Sequence, residues 1–229
     1  LINLTKNPPK SILDKLKILS ELVNLSKSSP KILKKAPCQD VVLTGDEINL
    51  FDLPILKCWP DDAGKFITLP LVITRNVNTG QRNVGTYRMQ VYDKKTTGIH
   101  WQTHKVGSAH YRKAKETEQD KMEVAVALGG DPVTIWSGSL PLPPDMDELL
   151  VAGVLKGSPV ELVKCKTVDL EVPANSEFVL EGYINIGEEA GIMRERYDEL
   201  QQSLQSHKVR GLRFSSDAFD DVSHNLTSV

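Results

Sequence analysis

His100, Gln102 and His104 recur at every second position of the segment Ile99-His-Trp-Gln-Thr-His104. Imidazoles and a carboxamide at that spacing can hydrogen-bond a ligand or, through a ring nitrogen, bind a metal. In an extended strand, alternation puts these three side chains on one face and Ile99, Trp101 and Thr103 on the other. The bland alternative for a lone strand histidine such as His104 is a hydrogen-bonded surface or core residue. Trp101 and Tyr87 read most simply as core aromatics.

The element that must position this face is a β-hairpin. Thr86 to Tyr92 and Ile99 to His104 are rich in β-branched and aromatic residues, and the polar turn Asp93-Lys-Lys-Thr-Thr-Gly98 joins them. Leu69, Leu71, Val72 and Ile73 predict a buried strand over 68–74, and a second apolar strand is expected over 124–128. Between them a charged helix is expected over 108–121. Asp131-Pro132 reads as N-cap and N1 of a short helix. Another helix is expected over 148–156, stopped by Gly157 and Pro159. Glu148 lies three residues after Asp145, the N3 place of a capping box. Strands follow over 160–164, 168–172 and 177–186. Many short strands with two or three helices between them predict an α+β fold with a β-barrel-like core.

The chain divides by composition. Residues 1–40 are Lys-rich with a helical apolar stripe (Ile12, Leu13, Leu16, Leu19) and then Pro30 and Pro37, an N-terminal helix and linker. Residues 41–187 form the central domain. Residues 188–229 hold an expected helix over 193–204 and a Ser- and Asp-rich, poorly ordered tail. Leu1 in place of Met suggests that a preceding domain is missing from the sequence. A net charge of −2 gives no argument for nucleic acid. No apolar run reaches the roughly 20 residues that span a bilayer. The 3 cysteines lie far apart, so a disulfide framework is not expected and a reducing cytoplasm is the default compartment.

Several segments in one order carry a family resemblance. They are Cys58-Trp-Pro-Asp-Asp-Ala-Gly64, Asn83-Val-Gly-Thr-Tyr-Arg88, Gly98-Ile-His-Trp-Gln-Thr-His-Lys105, Ala127-Leu-Gly-Gly-Asp-Pro132, Pro141 to Glu148, and Glu181-Gly-Tyr183. Over roughly residues 45–187 the chain resembles the UbiD-type decarboxylases, carboxy-lyases that use prenylated flavin. The resemblance implies a split β-barrel core of the flavin reductase type with a few flanking helices. It implies non-oxidative decarboxylation of aromatic or α,β-unsaturated carboxylic acids, with a polyprenyl-4-hydroxybenzoate of quinone biosynthesis as the natural substrate guess. The cofactor implied is prenylated FMN, held through manganese or another divalent metal and accompanied by potassium. By motif, the metal ligands fall on Asn83, His104 and Glu148. An amide oxygen, an imidazole and a carboxylate suit manganese, and phosphate oxygens and water would complete its shell. Flavin contacts fall on Thr86, Tyr87, Arg88, His100, Trp101 and Gln102, then Lys105 near the phosphate, with Ser139 and Pro141 on a lining loop. Arg88 carries the catalytic role, holding the substrate carboxylate in a bidentate fork. The partners implied are the small carboxylic acid, a flavin prenyltransferase that supplies the cofactor, and a second copy in a homo-oligomer. The place expected is the cytoplasm, with a membrane-peripheral position as the alternative. Asn83 beside Gly85 has a turn-forming alternative.

One stretch departs from the pattern. The family continues after Glu-Gly-Tyr to a Gly-rich loop with Pro-Phe and acidic residues, whereas this chain runs Ile184-Asn-Ile-Gly-Glu-Glu189 without it. The catalytic acids are therefore not assigned to Glu188 and Glu189. The alternative function is a catalytically silent flavin- and metal-binding relative or fragment.

Overall fold

The computed structural model describes residues 26–143 and 146–187, together with the backbone of 222–228. The expected N-terminal helix carrying Ile12, Leu13, Leu16 and Leu19 and the expected helix over 193–204 lie outside the described residues.

The dominant element is an eight-stranded sheet with strand order β2-β5-β6-β11-β10-β7-β3-β4. Its members are β2 (Phe66–Ile67), β3 (Leu71–Arg75), β4 (Arg82–Thr86), β5 (Met89–Val91), β6 (Thr96–Trp101), β7 (Lys121–Leu128), β10 (Phe178–Asn185) and β11 (Val222–Ser228). A smaller sheet sets β1 (Lys31–Leu33) parallel to β8 (Glu161–Lys164), with β9 (Glu171–Pro173) antiparallel on its far side. The helices are α1 (Val106–Glu116), α2 (Pro132–Ser137) and α3 (Glu148–Lys156). The architecture is α+β, and among the described residues the large sheet keeps two edges, β2 and β4, rather than closing on itself.

The apolar run expected for a buried strand is explained by a sheet with a core on each face. Leu71 and Ile73 of β3 and Ala125 and Ala127 of β7 pack with Leu149 and Ala152 of α3. Their neighbours Val72, Val124 and Val126 point the other way, to Trp101, Tyr111 and Ala114. Period-2 alternation thus buries both sets, one under α3 and one under α1. The helix limits follow local chemistry. Asp131 and Asp147 each accept a backbone N–H two residues on, from Val133 at 3.0 Å and from Leu149 at 2.9 Å. Gly157 ends α3 in the left-handed region at φ +70°.

Several expectations shift. The hairpin exists, but its first strand breaks at Tyr87-Arg88 and only Met89–Val91 pairs with Thr97–Ile99. Its second strand stops at Trp101. Lys105 N–H then donates to the Gln102 carbonyl at 2.9 Å, closing a turn that starts α1. His104 therefore sits in that turn and does not continue the strand face of His100. The expected helix over 108–121 ends at Glu116, because Lys121 already pairs with Asn185 in the β7–β10 ladder. Part of the segment read as a linker is strand β1. Residues 222–228, read as irregular tail, pair with both β6 and β10. The capping-box reading of Glu148 gives way as well: Asp147 is the N-cap, which makes Glu148 the first helical residue.

Candidate functional site

As an edge strand, β4 turns half of its backbone N–H groups away from β3. Buried donors of this kind need partners. Val84 N–H donates to Glu148 Oε2 at 3.0 Å, and Thr86 N–H donates to the Gly138 carbonyl at 3.1 Å. The start of α3 and the end of α2 are thereby pinned to successive outward sites of one strand. A cavity of about 390 Å³ opens beside them, a size common for ligand sites.

The three residues matched to metal ligands, Asn83, His104 and Glu148, all line this cavity. Asn83 is 4% exposed and Glu148 8%. The Asn83 amide nitrogen is buried without a hydrogen-bond partner among the described residues. A buried amide left unpaired costs free energy, so the position fits a ligand that would satisfy it. Rotation by 180° exchanges the amide oxygen and nitrogen, and so either atom can face that ligand. Burial pushes the Glu148 carboxyl above its usual range, and the N–H groups of Glu148 itself and Val84 oppose the shift. The third member differs in kind, since His104 is exposed.

Residues 83, 85 and 87 share one face of β4 and its continuation, and Gly85 has a reason for being Gly. A Cβ there would lie 2.4 Å from the Tyr87 ring, so the missing side chain is what lets the ring fold back along the strand. The Asn83 side chain and the Gly107 backbone lie near enough to the Tyr87 phenol to oppose the rise that burial imposes on its pKa. Burial raises the phenol's pKa, which keeps it a neutral donor. Behind it, Trp101 meets the Tyr87 ring edge-on at 5.8 Å between centroids.

Of the residues matched to flavin contacts, Thr86, Tyr87, Lys105, Ser139 and Pro141 also line the cavity. The Ser139 hydroxyl donates to Thr86 Oγ1 at 3.3 Å. Lys105 is the N-cap of α1, so its ammonium and the first-turn N–H groups of the helix form an anion-favouring corner.

Arg88, His100, Trp101 and Gln102 are not among the lining residues. Trp101 is fully buried in the core. Arg88 lies 3.8 Å from the Phe66 ring centroid, and its Nη2 donates to Asp62 Oδ2 at 2.8 Å. Sequence reasoning missed His110, which lines the cavity from α1 with Nδ1 2.9 Å from Thr74 Oγ1. Only its place on the inner face of a helix could have suggested it.

Among the described residues, no group of three His, Cys, Asp or Glu side chains gathers to hold a metal. The set above depends on the Asn83 amide. A larger cleft of about 480 Å³ runs between residues 37–53 and the start of β10, and it contains none of the matched residues. Side-chain chemistry rather than volume selects the site.

The model of the UbiD family, described as the 3-octaprenyl-4-hydroxybenzoate carboxy-lyase Rift-related domain, matches residues 31–202. An uncharacterized protein of Aquifex aeolicus (strain VF5) is 52% identical over 77% of this chain and 36% of its own length. One from Archaeoglobus fulgidus is 48% identical over 79% of this chain and 37% of its own length. The chain thus spans about a third of the length of these relatives. Among solved structures, the vanillic acid decarboxylase of Sedimentibacter hydroxybenzoicus is 31% identical with a TM-score of 0.67, over 78% of this chain and 39% of that one. The UbiD-class enzyme HmfF of Pelotomaculum thermopropionicum, in an evolved dimeric form with prFMN, is 32% identical with a TM-score of 0.66, over 72% and 39%. The 3,4-dihydroxybenzoic acid decarboxylase AroY of Klebsiella pneumoniae gives 25% and 0.64, over 74% and 37%. With a family model covering most of its length and relatives near half identity, this chain belongs to the UbiD family.

Proposed function

We propose that this chain supplies the flavin- and metal-holding site of a non-oxidative carboxy-lyase acting on aromatic or α,β-unsaturated carboxylic acids. The observation that carries this reading is the meeting of Asn83, His104, Glu148 and Lys105 around one cavity in which the buried Asn83 amide nitrogen has no hydrogen-bond partner among the described residues. By the family resemblance the open eight-stranded sheet would be the core of a split barrel of the flavin-reductase type.

The residues fit the implied group. The Asn83 amide oxygen, the His104 imidazole and the Glu148 carboxylate would hold a divalent ion such as manganese. One Glu148 oxygen already accepts from Val84, which fixes the carboxylate and leaves lone pairs for a cation. Lys105 and the first turn of α1 would take the phosphate. The loop through Ser139 and Pro141 is the place for potassium. When bound, prenylated flavin supplies an electron sink for the electron pair left as CO2 departs. Thr86 and Tyr87, which line the cavity, would border the flavin, with the Tyr87 phenol kept neutral by burial. Arg88 would orient the substrate carboxylate by a bidentate fork only on leaving Asp62, beside which its side chain lies at the surface with 43% exposure. A flavin prenyltransferase provides the cofactor, a polyprenyl-4-hydroxybenzoate fits as substrate, and the assembly is a homo-oligomer in the cytoplasm. Among the described residues, no helix is long and apolar enough to cross a membrane.

A second reading is a silent flavin- and metal-binding relative. It is favoured by the position of Arg88 outside the cavity and by the missing Gly-rich acidic segment after Gly187. Loss of a positioned general acid typically costs ~10²–10⁴-fold in rate. Native mass spectrometry and absorbance on protein co-expressed with a flavin prenyltransferase and supplied with manganese test both readings. Retained prenylated flavin, lost in Glu148→Ala, supports the site, and turnover of an aromatic acid then separates enzyme from silent binder. Protein that emerges without flavin overturns both.

A further inference from the structure

Behind Glu148 a row of ion pairs ties the start of α3 to three strands, β4, β9 and β3. Arg82 Nη2 donates to Asp147 Oδ2 at 2.6 Å, and Nη1 to Glu171 Oε2 at 3.3 Å. Arg75 extends the row, with Nη2 2.8 Å from the same Glu171 oxygen and Nη1 3.7 Å from Asp169. The Arg82 side chain is 14% exposed and that of Glu171 11%, so the inner part of the row is shielded from water.

Asp147 divides its two oxygens. Oδ1 accepts from Leu149 N–H and begins the helix, while Oδ2 meets Arg82. The next residue is Glu148, whose carboxylate accepts from Val84 N–H. Arg82 and Val84 are two residues apart on β4. The strand therefore grips consecutive residues of the first turn of α3 at two points, Arg82 on Asp147 and Val84 on Glu148. A single grip would leave the turn able to pivot about it; two fix both its distance and its rotation relative to Asn83, the residue between them on β4. Glu171 also balances the guanidinium charge, so Arg82 can stand beside a cation site without a net repulsive charge.

We infer that Arg82 is a positioning residue that sets the affinity of the Asn83–His104–Glu148 site for a divalent cation by fixing the Glu148 carboxylate through Asp147. This inference rests on the metal site proposed above. Groups that orient metal ligands typically change metal affinity about 10–100-fold when removed.

The test is a manganese titration of the full chain, reading free Mn2+ by electron paramagnetic resonance. Wild type, Arg82→Gln, Arg82→Lys, Asp147→Ser and Arg75→Gln are compared. Arg82→Gln is expected to weaken binding about 10–100-fold, with partial recovery in Arg82→Lys. Asp147→Ser keeps a helix cap but loses the arginine's partner, and should reproduce the loss even where Arg82→Gln folds poorly. Arg75→Gln cuts only the outer end of the row and should bind as wild type. Binding by Arg82→Gln and Asp147→Ser equal to wild type overturns the inference and leaves the metal site standing. An equal loss in Arg75→Gln also overturns it, because a general structural role would then explain the result. Wild type that takes up no manganese overturns the metal site, and the inference with it.

Discussion

The two sides of the cavity are built differently. On one side, Asn83 and Glu148 are buried, Val84 and Thr86 have their outward N–H groups taken, and α3 is held to β4 by charge and by hydrogen bonds. On the other, His104 and Lys105 occupy an exposed turn, while Arg88, outside the cavity lining, lies at the surface against Phe66 and Asp62. The buried side is fixed by the fold before any ligand arrives. The exposed side has little packing to hold its side chains in a binding geometry, so a ligand must supply the order. Binding should therefore depend on both sides, whereas stability should depend almost wholly on one.

The largest expected effect lies behind the buried side. Leu149 is fully buried under the sheet, so Leu149→Ala should cost ~2–5 kcal/mol of unfolding free energy. Exposed His104→Ala should stay within about 0.5 kcal/mol while removing manganese binding. Comparable losses in chemical denaturation would erase the distinction between the two sides. Next is Gly85→Ala. With the Tyr87 ring 2.4 Å from the new Cβ, the ring must move, costing ~1–3 kcal/mol and weakening flavin retention. Unchanged stability and flavin content would mean that the ring is not seated by that glycine.

Glu148→Gln sharpens the comparison by moving stability and binding in opposite directions. The folded-state pKa of Glu148 is raised from its ordinary 4.5, so the metal-free native state binds this proton more tightly than the unfolded state does. The ionised carboxylate therefore opposes folding at neutral pH, and the penalty fades as pH falls through the raised value toward 4.5. In metal chelator, Glu148→Gln should melt above wild type at pH 7, with the gap narrowing in acid. Manganese at 100 times its Kd should add about 2.7 kcal/mol to wild type and nothing to the variant. A variant that melts lower at pH 7 in chelator would contradict the assigned shift. The smallest effect is expected for Asp62→Asn. Its partner Arg88 is 43% exposed, and exposed pairs contribute ~0–1 kcal/mol. A larger loss would show that Arg88 is tied into the fold despite its exposure.

The same division governs what the sequence revealed. The buried strands, the Asp131-Pro132 helix start and the helix over 148–156 were legible because periodicity and capping are local signals. The motif order pointed to Asn83, His104 and Glu148, and the fold brings all three to one cavity. The partner of the Glu148 carboxylate was not legible, because Val84 lies 64 residues away and only the sheet edge joins them. His104 was placed on a strand because alternation continues on paper through Thr103, whereas the chain has already turned toward α1. The pairing of 222–228 beside β6 and β10 is likewise a long-range choice that composition does not encode.

The most direct test of the two-sided site is anomalous X-ray diffraction at the manganese edge from crystals of the chain grown with manganese and FMN. The account predicts a peak bounded by Asn83, His104 and Glu148, with the flavin phosphate toward Lys105. A map with no peak there, or with the metal bound elsewhere on the chain, would contradict it.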